Sequence, residues 1–185
     1  MFDNLWIDLN ISLGNEVAKI SNKLNASSLN VIRYANTLKK GNSFVNILLP
    51  SIGVGGYCLN KDPWMVDEFA KKNKIKIYLP KISRKINNSM PKYVYDMISN
   101  KIKNENLINP KIMILGYSFK SNSGDTRNTP VEKFINILKK DKNFYDIDLT
   151  DPLVLKKEIL SNYSKKIFIN FSDFLKSKKK YDIIF

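Results

Sequence analysis

The chain has 185 residues, enough to bury a sizeable core as one domain or two small ones, and 43% of them are hydrophobic. No run is apolar and long enough to span a bilayer, no basic start leads into an apolar leader, and a single cysteine excludes an internal disulfide, so a cytoplasmic protein without a membrane partner is expected. The net charge of +14 comes mostly from lysines spread along the chain, with arginine only at positions 33, 84 and 127, so nucleic-acid binding is not expected.

Residues 3–24 are predicted to form an amphipathic helix, because Leu5, Leu9, Ile11, Leu13, Val17, Ile20 and Leu24 give a broad apolar stripe at helical spacing. Gly14 either weakens this helix or lets another approach closely, and the interspersed Asn4, Asp8, Asn10, Asn15 and Glu16 are expected to be solvated. Ser27 or Ser28 can cap a second helix from about Leu29 to Lys39, which Gly41 ends. An extended apolar segment, 45–49, follows.

The stretch from Pro50 to Trp64 holds the only cysteine, three of the seven glycines and a Lys-Asp pair. Gly53, Gly55 and Gly56 suggest a loop pressed against a ligand or a facing backbone. Cys58 has two readings. It is a nucleophile, its thiolate favoured by Lys61 and the start of a helix running from about Asn60 to Lys72, with Asp62 as a base or as the partner of Lys61. Otherwise it is a small buried apolar side chain beside a tight turn. The helix is expected to turn Met65, Val66 and Phe69 inward. A longer helical pattern from about Pro80 to Ile102 contains Pro91, which should kink or divide it. The polar, Pro-bounded stretch 104–110 suggests a boundary, giving domains 1–105 and 106–185.

Beyond it the period changes. Residues 111–116 read as a buried strand, with further strands at 144–149, 166–170 and 181–185, and helices at 129–140, 152–160 and 172–178. This alternation implies βαβ units around a parallel sheet. Such sheets bind ligands beyond the carboxyl ends of their strands, where the loop 116–130 falls. It lacks G-x-G-x-x-G, but it offers Lys120 and Arg127 to anionic groups, Asp125 to orient a cation and a helix start near Pro130. A solvated loop with an ordinary cap at Thr129 is the equal alternative.

The run from Gly53 to Trp64 resembles the active-site loop of the UDP-glucose/GDP-mannose dehydrogenase family, and Asp62-Pro63-Trp64 looks most like its UDP-N-acetylmannosamine branch. Tyr57 and Lys61 look more like the glucose-type loop. Residues 3–16 resemble the first helix of the family's central domain. Phe119-Lys120 followed by residues 124–130 is similar to the signature of its UDP-binding domain. The resemblance covers nearly the whole chain and implies a helical central domain that forms a homodimer, followed by a partial α/β Rossmann-like domain with a parallel sheet.

It also implies roles. Cys58 would attack a sugar C6 aldehyde and carry the thioester, Asn4 would support the oxyanion, and Lys61 and Asp62 would activate water or support the site. Backbone of Leu49, Pro50, Ser51, Ile52, Gly53, Val54 and Gly55 would cradle the UDP-sugar substrate, Phe119 and Lys120 would meet it, and Arg127 would reach toward NAD. No metal is implied. Asn60 stands where the family usually has proline, so a looser loop is expected. The family's catalytic lysine and NAD-binding Rossmann domain would precede this sequence, and its C-terminal domain continues beyond Phe185. The expectation is therefore part of a UDP-sugar 6-dehydrogenase that transfers no hydride alone. A non-catalytic nucleotide-sugar-binding or dimerising module is the alternative, and Lys178-Lys179-Lys180 leaves a basic surface binder as a third.

Overall fold

Helix α1 (Phe2–Lys23) opens the fold, and what it buries is not what its apolar periodicity predicts. Its buried residues are Leu5, Asp8, Ser12, Gly14, Asn15 and Ser21, whereas Leu13, Ile20 and Leu24 are exposed. Asp8 and Asn15 are 0% exposed, so the expectation that they are solvated is corrected. The cause is a run of backbone that pairs with no strand. Asn10 donates to the carbonyl of Asn46 and accepts from the N–H of Leu48, and Asn15 accepts from the N–H of Ser51. Side-chain amides, with both donor and acceptor, do here what a neighbouring strand would do in a sheet. Gly14 permits the approach: a Cβ there would lie 2.3 Å from the carbonyl oxygen of Leu48.

Residues 1–141, 146–159 and 168–185 are described by this computed structural model. They form two units, Met1–Met90 and Pro91–Phe185. In the first, α2 (Ser28–Ala35) starts where Ser27 Oγ accepts from the N–H of Asn30. It ends earlier than expected. Asn36 exchanges two hydrogen bonds with the backbone of Ile47, pulling the chain out of the helix and into a short hairpin, β1 (Lys39–Lys40) and β2 (Ser43–Phe44).

Helix α3 (Cys58–Lys72) begins two residues before its predicted start. It buries Asp62, Pro63, Val66, Asp67 and Ala70, and that choice of face leaves Met65 and Phe69 outside, contrary to expectation. Helix α4 (Leu79–Asn104) continues through Pro91 without dividing, and the boundary between the two units falls between Met90 and Pro91.

The second unit is built on three parallel strands, β3 (Lys111–Leu115), β4 (Asp146–Thr150) and β5 (Ile183–Ile184), in the order β4-β3-β5. Phe168 adds a single parallel bridge to Leu149. Ile112, Met113 and Ile114 are all buried, as a central parallel strand requires, and helix α5 (Pro130–Lys140) buries Phe134, Ile135 and Leu138. Thr129 caps α5 through the N–H of Val131, with Pro130 in the first turn, where its missing N–H costs nothing. Two short helices, α6 (Lys156–Ile159) and α7 (Phe171–Lys176), follow. The predicted strand positions 144–145 and 166–167, and position 160 of the predicted helix, lie outside the described residues. Among the described residues no helix is long and apolar enough to cross a membrane.

Candidate functional site

The glycine-rich loop reaches α3 through two glycines with positive φ, Gly53 at +143° and Gly56 at +76°, a backbone that side chains rarely adopt. Val54, Gly55 and Gly56 are buried, Pro50, Ser51, Ile52 and Gly53 are half-buried, and Leu49 is exposed. Ser51 Oγ donates to the carbonyl of Gly53 at 2.7 Å and stiffens the first bend. Cys58 follows as the first residue of α3, and it is exposed, which removes the reading of a small buried core side chain.

Lys61 and Asp62 stand three and four residues along the same helix, the spacing that puts side chains on one face with Cys58. Asp62 is buried, with Oδ1 3.8 Å from Lys61 Nζ. Its other oxygen accepts from Asn4 Nδ2 at 2.7 Å, so a residue 58 positions away joins the face. An amide carries two N–H groups, and this bond uses one, leaving the second as a donor that a developing oxyanion can take. Lys61 is exposed, so its pairing with Asp62 contributes little to stability.

Beneath this surface lies a polar network that sequence reasoning missed. Arg84, 2% exposed, donates from Nη1 to Asp8 Oδ1 at 2.7 Å and from Nη2 to Asn60 Oδ1 and Asn88 Oδ1. Asn87 donates to both the side chain and the carbonyl of Asp8 and accepts from Asn15. Asn60 Nδ2 donates back to the carbonyl of Gly56 at 2.7 Å. The loop is thus tied down at Asn60, and the expectation that this residue loosens it is corrected. The available signal was spacing: residues 4, 8, 12 and 15 recur at helical intervals and form a polar stripe on α1.

On the second unit, the loop after β3 is organised by two carboxylates. Asp151, following β4, accepts from the N–H groups of Tyr117 and Ser118 on one oxygen and of Leu153 and Val154 on the other. Burial pushes its carboxyl up, but these four donors outweigh it and hold it below the usual carboxylate range. Asp125 receives Arg127 on both oxygens, and the guanidinium holds the Asp125 carboxyl down at about 2. The cation that Asp125 orients is therefore Arg127. Lys120 is exposed, Phe119 half-buried, and the N–H of Phe119 donates to the carbonyl of Asp125 at 3.1 Å. Among the described residues no group of His, Cys, Asp and Glu is gathered as a metal site.

The protein is thus of a two-unit class, a helical unit with an exposed thiol and a buried carboxylate on one helical face, and a parallel α/β unit with a polar loop after its central strand. Residues 1–89 match the UDP-glucose/GDP-mannose dehydrogenase family, central domain, and residues 113–185 match the same family's UDP binding domain. The chain belongs to this family.

The UDP-N-acetyl-D-mannosamine dehydrogenase of Methanococcus aeolicus is 33% identical over 191 residues, covering 99% of this chain and 41% of that protein. Its counterpart from Methanococcus vannielii is 38% identical over 138 residues, covering 75% of this chain and 30% of that protein. Among solved structures, the UDP-N-acetyl-mannosamine dehydrogenase of Staphylococcus aureus superposes with a TM-score of 0.72 at 30% identity, covering 100% of this chain and 45% of that one. The chain therefore spans less than half the length of each of these relatives.

Proposed function

We propose that these residues are the thiol-bearing and UDP-binding portions of an NAD-dependent UDP-N-acetylmannosamine 6-dehydrogenase working in the cytoplasm. The observation that carries this is the exposed Cys58 on one helical face with Asp62, whose carboxylate holds Asn4. The relatives named for UDP-N-acetylmannosamine favour that sugar over UDP-glucose.

In this reading the Cys58 sulfur adds to the C6 aldehyde carbonyl, and the carbonyl oxygen takes the developing charge against the second N–H of Asn4. Asp62 fixes the amide and stands ready to accept a proton from the water that later hydrolyses the thioester, returning the thiol and releasing a carboxylate. Lys61, exposed beside it, supports the negative charge. Backbone of 49–55 is the first unit's cradle for the nucleotide-sugar, and Phe119 and Lys120 are the second unit's candidate contacts to a UDP-sugar. NAD, when bound, would accept two hydrides, one from the C6 alcohol to give the aldehyde and one from the thiohemiacetal to give the thioester. The matched domains are the central and UDP-binding ones, so this reading assigns NAD chiefly to a further domain, with Arg127 reaching toward it. Residues 1–105 are assigned the catalytic and dimerising work and 106–185 the UDP grip.

Calorimetry with UDP-N-acetylmannosamine, together with NADH formation, tests this proposal. These 185 residues are expected to bind the UDP-sugar, to lose that binding in Lys120→Ala, and to form no NADH unaided. Absence of any UDP-sugar binding overturns the assignment, and unaided NADH formation overturns the need for a further NAD-binding domain.

A further inference from the structure

Cys58 is exposed, yet the backbone on both sides of it is fastened to one buried guanidinium. Pro63 has no N–H, so the carbonyl of Leu59, four residues earlier, lacks the partner an α-helix would give it. Arg84 Nη1 reaches that carbonyl at 3.4 Å. Arg84 Nη2 donates to Asn60 Oδ1 at 2.5 Å, and Asn60 Nδ2 donates to the carbonyl of Gly56 at 2.7 Å. The residues two before, one after and two after the cysteine are all held. The guanidinium is anchored in turn by Asp8 on α1 and Asn88 on α4.

Three features point to a use beyond stability. A buried Arg–Asp pair recovers in Coulombic attraction little more than it loses in desolvation, and apolar side chains would fill the space as well. Asn60 is required both to accept and to give: a carboxylate there keeps the bond from Arg84 and loses the one to Gly56, and an aliphatic residue loses both. Asp8 lies one helical turn from Asn4, so the guanidinium that holds the cysteine's turn also fixes the helix carrying Asn4.

We propose that Arg84 and Asn60 are positioning residues for Cys58, a latch that holds residues 56–60 so the thiol keeps a fixed place relative to Asn4 and Asp62. The proposal rests on Cys58 being the nucleophile, but its test does not pass through turnover. Cys58 is the only cysteine, so alkylation by iodoacetamide reports on it alone. Amide hydrogen exchange of residues 54–61 reports on the loop.

In Asn60→Ala, exchange across 54–61 is expected to rise about tenfold or more while the amides of α1 and α4 keep their protection. Alkylation of Cys58 is expected to change by about threefold or more, because the sulfur no longer keeps one position at the start of α3. Asn60→Asp is expected to restore protection after Cys58 and not before it. Arg84→Lys should reproduce Asn60→Ala, and if it fails to fold, the two Asn60 variants carry the test. Loop exchange and alkylation in Asn60→Ala within twofold of the parent would overturn the latch. A latch that responds as expected in a chain whose Cys58 forms no thiohemiacetal adduct with the C6 aldehyde of the UDP-sugar, read by mass spectrometry against Cys58→Ser, would overturn the nucleophile reading alone.

Discussion

Asp151 shows how much one side chain can organise at the end of a parallel sheet. It receives four backbone N–H groups, two from the loop after β3 and two from its own turn. Replacing it with asparagine turns an amide N–H against some of those donors, a loss of about 2 kcal/mol at neutral pH. The pH dependence has a definite sign. The folded carboxyl lies below its ordinary value of about 3.9, so its contribution is complete above that value and is lost as pH falls through the lower folded one. Urea titrations of the parent and Asp151→Asn should therefore show a constant gap from about pH 5 upward that closes below about pH 4. A gap that widens as pH falls below about 4 contradicts this account.

The residue scale is also where sequence reading fell short. Cys58, Lys61 and Asp62 were nameable from the motif around the cysteine, and Asn4 only from the resemblance of residues 3–16 to the family's first central helix. Asp8, Asn15, Arg84 and Asn87 were not, because a polar residue on a helix is normally solvated and only the facing elements reveal that these are buried. The hydrogen bonds that join these four to one another span 72 to 79 positions in the chain, beyond the reach of any local pattern.

At the scale of elements, α1 and the segment 46–51 form one device. Asparagine amides hold the extended backbone, and Gly14 brings it close to the helix axis. In a helix whose glycine faces solvent, Gly→Ala stabilises by about 1 kcal/mol. Here the new methyl meets a backbone carbonyl at 2.3 Å, which cannot swing away as a flexible side chain would. Gly14→Ala is therefore expected to destabilise the first unit by about 1–3 kcal/mol, read by chemical denaturation. A stabilised variant would refute the close-packed arrangement. The same device explains why α2 was predicted too long. Local propensity allowed helix up to Lys39, but Asn36 is diverted to the backbone of Ile47, a contact no helical periodicity encodes. The central strand β3 was more legible, because it is a continuous apolar run, whereas of the predicted strand 166–170 the described part holds only the bridge at Phe168.

For the molecule as a whole, the inverted helix α1 raises the question of what its apolar side is for. Phe2, Trp6, Leu13, Ile20 and Leu24 are all at least half exposed, and their spacings of four, seven, seven and four residues keep them within an arc of about 40° at 100° per residue. A narrow stripe of this kind is the seam along which two helices pair. The proposed homodimer gives it an occupant, the same helix of a second copy. A helix of this length is only about 33 Å long, and a stable interface buries about 800 Å² on each side, so α1 alone is a small contact. Exposed Leu29, Val31 and Tyr34 on α2 are expected to enlarge it. Sedimentation equilibrium should give twice the chain mass at micromolar concentration. The double variant Leu13→Glu, Ile20→Glu should give the single mass with unchanged far-ultraviolet circular dichroism, since charges at exposed helical positions leave the isolated fold intact. A parent chain that remains monomeric at tens of micromolar, or a double variant that remains dimeric, would place the partner of this stripe elsewhere.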